Sequence, residues 1–237
     1  AGLAASAFFF SDGSQDIIAK HARDLAWWVS EKDRGQSEAI NKGLKRATGD
    51  WIAWQNSDDV YCPGAFASLA RAAARYSDAD LIIGNVNLID AEDRVLRDLC
   101  YVTPTFNSML AEGMILTNQV AFWRRELHDR IGWLDESLTC AFDYDWFLRV
   151  LEAGHGAHVN ACWGGYRFHG ETKTSRHVPN DILRELHGFL HSFEDTPEFV
   201  ARHIIREARS YLDGLAPPFF RALTGYAQDG SYSWHCP

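Results

Sequence analysis

The segment Trp51-Ile-Ala-Trp-Gln-Asn56-Ser57-Asp58-Asp59-Val60-Tyr61-Cys62-Pro63 sets an amide and two adjacent carboxylates directly after an apolar run. The run reads as a buried strand, and in open α/β sheets ligands bind at the carboxyl ends of strands. Two acids in such a loop suit a hard divalent cation, because Mg²⁺ takes one or two protein carboxylates and fills its other positions with water and substrate phosphate oxygens. The same acids would also serve as caps for the helix that follows, and this pair alone does not choose between the two roles. A second acidic pair, Asp143 and Asp145, opens a helix-period segment. Side chains two apart on a helix do not share a face, so only one of them can point into a pocket. His169 follows a strand-like run, where a lone histidine is either a ligand or a satisfied surface or core residue. His187 and His191 stand four apart on a helical segment without the Glu of a metalloprotease motif and read as a polar face.

These residues need elements to hold them. Apolar character alternates between short strand-like runs and helix-period segments along the chain, which is the pattern of an α/β protein. Phe8 to Phe10 ends a strand, and Ser14 is placed to cap a helix with Ile17, Ile18, Ala22 and Leu25 on one side. Ala26 to Val29 reads as a short buried strand, Gln36 to Ala47 as a helix ended by Gly49, and Trp51 to Gln55 as another strand. Pro63 precedes a helix striped by Ala65, Phe66, Leu69, Ala70 and Ala73. Leu81 to Ile89 and Arg94 to Leu99 form a hairpin turning at Asp90 to Asp93. Residues 101–117 are less periodic, Gln119 to Trp123 is strand-like, Asp143 to Ala153 helical, and Ala157 to Phe168 contains a strand. Beyond Pro179 the pattern is helical over Ile182 to Phe193 and Pro197 to Leu212. A boundary near residue 178 divides an α/β body, residues 1–177, from a helical C-terminal extension, residues 178–237.

Composition narrows the partners. The 237 residues are 46% hydrophobic and 23% charged, an ordinary globular balance that excludes a disordered or fibrous chain. The net charge is −9, with no basic run, so polymeric nucleic acid is excluded as a partner and an anionic membrane surface is disfavoured. No window approaches the ~18 apolar residues of a membrane-spanning helix, and Ala1 to Phe10 lacks the basic start of a signal peptide. Cys62, Cys100, Cys140, Cys162 and Cys236 include no C-x-x-C pair and read as reduced thiols of a cytoplasmic protein. The tryptophans Trp27, Trp28, Trp51 and Trp54 read as core, while Trp123, Trp133, Trp146 and Trp163 include candidate sugar-stacking rings.

The stretch Ser30-Glu31-Lys32-Asp33-Arg34-Gly35-Gln36-Ser37-Glu38-Ala39-Ile40-Asn41-Lys42-Gly43, then Ala47-Thr48-Gly49-Asp50 and Asn56-Ser57-Asp58-Asp59, closely resembles the family 2 glycosyltransferases, the inverting GT-A class. The match is nearly unbroken from Val29 to Pro63. It continues more loosely through Asn118-Gln119, Phe122 to Leu127, Ile131 to Leu138, Phe142 to Arg149 and Arg167-Phe168-His169, covering residues 11 to 176. The resemblance implies a GT-A, Rossmann-like mixed sheet flanked by helices, and the metal-dependent transfer of a sugar from a nucleoside diphosphate sugar to a hydroxyl acceptor, as in bacterial polysaccharide biosynthesis. UDP is the commonest nucleotide of the class, and the acceptor is a glycan, a lipid-linked carrier or a small molecule.

Residue by residue, the resemblance implies that Asp58 of the D-x-D stretch ligates Mg²⁺ or Mn²⁺ on the diphosphate while Asn56 faces the ribose. Asp59 is then structural or supports its neighbours. Asp33 approaches the nucleoside, Asn41 and Lys42 lie on the helix facing that pocket, and His169 ligates the metal or contacts the diphosphate. Asp143 matches the acid that acts as catalytic base, deprotonating the acceptor hydroxyl as it attacks the anomeric carbon. The family normally opens with a strand and a "P-(T/S)-Y-N" turn, and nothing like it precedes Phe8. Ser11 stands where a nucleoside-contacting acid is usual, with Asp12 the nearest substitute. A sheet without that strand has an uncovered central edge unless Ala4 to Phe10 or another chain fills it.

The competing reading is a degenerate, non-catalytic GT-A fold that binds a nucleotide sugar or a protein partner. A nucleotidyltransferase would usually signal a Gly-rich basic phosphate loop near its start, and none is present. A homo-oligomer, and peripheral contact with the inner face of the membrane through the amphipathic C-terminal helices, are both left open by the sequence.

Overall fold

The structure, a computed structural model, describes residues 4–7, 13–139 and 141–168. Asp12, His169, His187, His191 and the expected C-terminal helices lie outside the described residues.

In chain order the elements are β1 (Ala4–Ala7), α1 (Ser14–Lys20), β2 (Trp27–Ser30), α2 (Gln36–Leu44), β3 (Trp51–Ile52), β4 (Val60–Tyr61), α3 (Ala65–Arg75), β5 (Leu81–Ile89), β6 (Val95–Leu99), α4 (Phe106–Glu112), β7 (Ala121–Arg124), α5 (Leu127–Ile131), α6 (Phe142–Ala153) and β8 (Gly156–Arg167). Strands and helices alternate over most of the chain, as the apolar pattern predicts. The main sheet runs β3-β7-β5-β8-β4, with β6 also paired to β5. Within this sheet, among the described residues, only β5 and β8 pair in parallel; β3–β7, β5–β7, β5–β6 and β4–β8 are antiparallel. On one side β5 is shared, Leu81–Ile83 pairing with β7 and Val86–Ile89 with β6.

The β5 sequence Leu-Ile-Ile-Gly-Asn-Val-Asn-Leu-Ile is nearly unbroken in apolar character because both faces of this strand are covered. Leu81 and Ile83 point into a core built with Trp54, Trp123, Met109, Leu127, Trp146 and Phe147. Ile82 and Val86 point the other way, into a core with Phe122, Trp163, Leu69 and Ala72. Period-two alternation of β7 splits Phe122 and Trp123 between the same two cores. Trp163 lies against the backbone of Gly84, where an added Cβ would meet the indole at 2.4 Å.

Several local expectations are corrected. Helix α1 is capped by Gly13 at φ +89°, not by Ser14, and none of its residues is buried; Ile17 is 59% exposed. Helix α2 stops at Leu44, short of Gly49, and β3 is two residues instead of five. Phe66 leaves the α3 stripe and lies 55% exposed beside Tyr61, while Ala65, Leu69 and Ala72 face the core. The short elements β4 and α5 have no apolar period long enough to be read.

The first strand is also decided by the fold. Ala4–Ala7 pairs in parallel with Trp27–Ser30, and these two form a separate two-stranded sheet. They do not join the six-stranded sheet, whose edge on that path is β3.

Candidate active site

Strand β3 leads into Trp54, 8% exposed, which stacks on Phe147 at 5.7 Å and meets Phe142 at 6.4 Å. Burying that indole fixes the height at which the chain leaves the sheet, two residues before Asn56. The next turn is organised by Asp59, 8% exposed. Its Oδ2 accepts from Asn56 Nδ2 at 3.0 Å and from Gln119 Nε2 at 2.7 Å, and its Oδ1 accepts the Arg167 N–H at 2.9 Å. Burial pushes this carboxyl above the usual carboxylate range, and the neighbouring Asp58 charge pushes the same way; the three hydrogen bonds pull it back. Asp58 itself is exposed at the tip. Asp59 thus faces inward and Asp58 outward.

The turn before α2 meets this loop. Gln36 Nε2 donates to Asn56 Oδ1 at 3.2 Å, and Asp33 Oδ1 accepts the Gly35 N–H at 3.1 Å. Asp33, Asn56 and Asp58 thus come from segments tied to one another. Asn41 and Lys42 take other places. Asn41 is 1% exposed, donates to the Leu134 carbonyl at 2.9 Å and to Glu136 at 3.0 Å, and accepts the Leu134 N–H at 3.1 Å. Its amide locks the 134–136 loop to α2 instead of facing open space. Lys42 pairs with Glu31 at 2.9 Å and Glu38 at 3.8 Å, and the Glu31 bond holds its ammonium above the ordinary lysine range. Arg34 adds ion pairs to Glu38 and Glu136.

The docked 134–138 loop, which also accepts the Ser37 hydroxyl at Leu138, delivers the chain to α6. Phe142 packs on Trp54, and Asp143 follows in the first turn, half-buried, with Oδ1 accepting the Tyr144 N–H at 2.8 Å. Asp145 is committed elsewhere: Arg149 Nε donates to it at 3.0 Å and a second guanidinium nitrogen bonds the same oxygen. The two acids separate as their spacing requires, and Asp145 is the one occupied by a cation.

A divalent cation would find one outward carboxylate here, Asp58. Among the described residues no three His, Cys, Asp or Glu side chains gather to chelate a metal. That donor set fits Mg²⁺ or Mn²⁺ held chiefly by a diphosphate and water, and does not fit an all-protein cage. The tryptophan candidates are corrected: Trp123, Trp146 and Trp163 are fully buried and cannot stack on a sugar. Trp133 stacks on His128 at 4.2 Å. Cys62 and Cys162 face one another as thiols, Sγ to Sγ 3.3 Å, and burial pushes Cys62 up to about 11. Gln36, Gln119, Glu136 and Arg167 are not among the expected site residues; all four lie inside the family-like stretches, but their partners are distant in sequence.

The sequence profile of glycosyl transferase family 2 matches residues 10–132, just over half of the chain. The chain belongs to this family. A glycosyltransferase of Bacillus subtilis, YwdF, is 29% identical over 128 residues, which is 52% of this chain and 46% of the relative. Among solved structures, Staphylococcus aureus TarS 1–349 in complex with UDP-GlcNAc superposes with a TM-score of 0.64 at 15% identity, covering 96% of this chain and 65% of that one. The Pyrobaculum calidifontis mannosyltransferase PcManGT, in complex with GDP-Man and Mn²⁺, superposes at 0.54 with 19% identity, covering 97% and 67%. The fold is therefore the GT-A type of α/β fold. The chain spans under half the length of the curated relatives it matches. A different profile, that of the Orn/Lys/Arg decarboxylase N-terminal domain, matches residues 168–211. Lysine decarboxylase LdcA of Pseudomonas aeruginosa is 48% identical over 71 residues, 29% of this chain and 10% of the relative. The family 2 chain thus carries, in the region expected to be its helical extension, a sequence similar to another family.

Proposed function

We propose that this family 2 chain transfers a sugar from a nucleoside diphosphate sugar to a hydroxyl acceptor with inversion. The observation that carries the reading is the convergence of the Asp33–Gln36 turn, the Asn56–Asp59 loop and the start of α6 around the end of β3. Asn56 would face the ribose and Asp33 the nucleoside, with Asp12 and His169 extending the contact set. Asn41 and Lys42 act on the donor through the segments they brace. Asp58 would hold Mg²⁺ or Mn²⁺, which would neutralise the charge developing on the diphosphate.

Asp143 would take the proton of the acceptor hydroxyl as its oxygen bonds to the anomeric carbon, while the nucleoside diphosphate departs from the opposite face. Asp145 cannot share that task while Arg149 holds it. UDP is the first nucleotide to test because TarS is solved with UDP-GlcNAc, and GDP the second because PcManGT is solved with GDP-Man. The acceptor would be met by residues 101–117 and the segments beyond β8. No described helix is long and apolar enough to cross a membrane; a cytoplasmic setting, with or without contact to the membrane face, is part of the proposal.

The test is thermal denaturation of the chain with UDP, GDP or dTDP, with and without Mn²⁺. Stabilisation by one nucleotide, requiring metal and lost in Asp58→Ala, is expected. Asp143→Asn should then keep nucleotide binding and lose turnover of the matching sugar donor by a factor on the order of 10²–10⁴, the usual contribution of a general base. Binding without turnover in the parent chain would favour the non-catalytic reading, and no binding would remove the donor site altogether.

A further inference from the structure

Arg167 makes two hydrogen bonds to the donor loop. Its backbone N–H bonds the Asp59 carboxylate at 2.9 Å, and its Nε bonds the Asp58 carbonyl at 2.7 Å. The rest of the guanidinium reaches the opposite way, one nitrogen to the Asp90 carbonyl and another to the Asp93 carboxylate. One residue at the end of β8 therefore joins both consecutive acids of the donor loop to the turn between β5 and β6. The ion pair to Asp93 holds the guanidinium above its already high range.

Asp59 turns this tie into a constraint on the residues facing the donor. A carboxylate only accepts hydrogen bonds. Asn56 must therefore present its Nδ2 inward to Asp59, which aims its Oδ1 outward to Gln36. The Arg167 N–H occupies the other oxygen of the same carboxylate, so the position of Arg167 sets, together with Gln119, the rotation of Asp59 and the aim of Asn56. The Asp58 carbonyl held by Nε fixes the peptide from which the exposed Asp58 carboxylate projects.

Resting on the proposed donor site, we propose that Arg167 is a positioning residue for the nucleotide. It sets the Asn56–Asp58 loop through Asp58 and Asp59, and it is itself aimed by Asp93, a residue outside that loop. Asp93 is well placed to separate this role from a merely structural one. Its side chain is 71% exposed, and an exposed ion pair adds little to folding stability. Its backbone sits at φ +64°, a conformation asparagine tolerates as readily as aspartate. Asp93→Asn should therefore leave the melting temperature near that of the parent chain while loosening the far end of Arg167.

The experiment is isothermal calorimetry of UDP with Mn²⁺, and of UDP alone, on the full chain and on Arg167→Lys and Asp93→Asn, with melting temperature measured beside it. Lysine keeps the charge but cannot reach the Asp58 and Asp90 carbonyls together. Arg167→Lys should weaken UDP–Mn²⁺ binding about tenfold, the scale of one lost charge-assisted hydrogen bond, and Asp93→Asn about two- to threefold with unchanged melting. In turnover the loss should appear in the donor KM and not in kcat. A lower melting temperature in Arg167→Lys with parental UDP affinity would overturn the inference and leave Arg167 a structural tie. Parental affinity in both variants would do the same. If the parent chain itself binds no nucleoside diphosphate, the proposed function fails first and this inference with it, a result distinct from either of the others.

Discussion

His128 shows how a residue outside the proposed chemistry can still set a pH limit. It is 6% exposed, stacked between Trp133 at 4.2 Å and Trp146 at 4.5 Å. Its Nδ1 meets the Gly132 carbonyl at 2.7 Å, and its Nε2 accepts the Trp123 indole N–H at 3.1 Å. That pairing requires the neutral ring with its proton on Nδ1, because a protonated Nε2 would confront another donor. Burial lowers its pKa most, the Gly132 carbonyl opposes this, Arg149 and Arg125 lower it further and Asp129 raises it. Since the folded pKa lies below the unfolded one, the unfolded chain binds the proton first. The neutral contacts then stabilise the fold fully above about pH 6.5 and progressively less as pH falls below it, by about 1.4 kcal/mol for each unit of lowering. Denaturant midpoints measured from pH 7 to pH 5 should fall in the parent chain and fall less steeply in His128→Gln, whatever the offset between the two.

At the scale of elements, the contact of β5 with β8 decides whether the site has a floor. These strands pair along eight register positions, with shifts around Asn85, and the indole of Trp163 on β8 covers Gly84 on β5. A methyl group there would lie 2.4 Å from the ring, and the ring has no room to retreat because Phe122 meets it edge-on at 5.7 Å. Gly84→Ala should cost about 1–3 kcal/mol, the usual penalty of overpacking, visible as an earlier urea midpoint. The end of β8 also supplies Arg167, so this variant should lose nucleotide affinity at temperatures where it begins to melt and not below them. A parental midpoint would mean that β5 and β8 can slide apart without cost.

For the whole molecule, the two family matches fall on different parts of the chain, residues 10–132 and residues 168–211. Among the described residues, the hydrogen bonds given for the donor loop, the turn before α2 and the start of α6 lie between residues 33 and 167. If the two matches mark two independent units, a chain ending at residue 177 binds UDP with the affinity of the full chain, by the same calorimetry. Loss of binding would show that the region resembling a decarboxylase segment helps to build the donor site.

The sequence by itself determined a good deal. Asn56, Asp58 and Asp59 follow a strand in a local order that no folding alters, and their motif with Asp33 to Lys42 named the family. The spacing of Asp143 and Asp145 settled that they part company. Alternating strands and helices carried the fold class, because burial period is a local property of side chains. That Asp145 is held by a cation, however, depended on Arg149 reaching it, and the inward turn of Asp59 depended on Gln119 and Arg167, 60 and 108 residues away. Asn41 read as a pocket residue until the 134–136 loop claimed its amide. Trp123, Trp146 and Trp163 stood among the candidate sugar-stacking rings until two cores closed over them. Each of these outcomes is a contact between segments far apart in the chain, and only packing the sheet and helices together brings such partners within hydrogen-bonding or van der Waals reach.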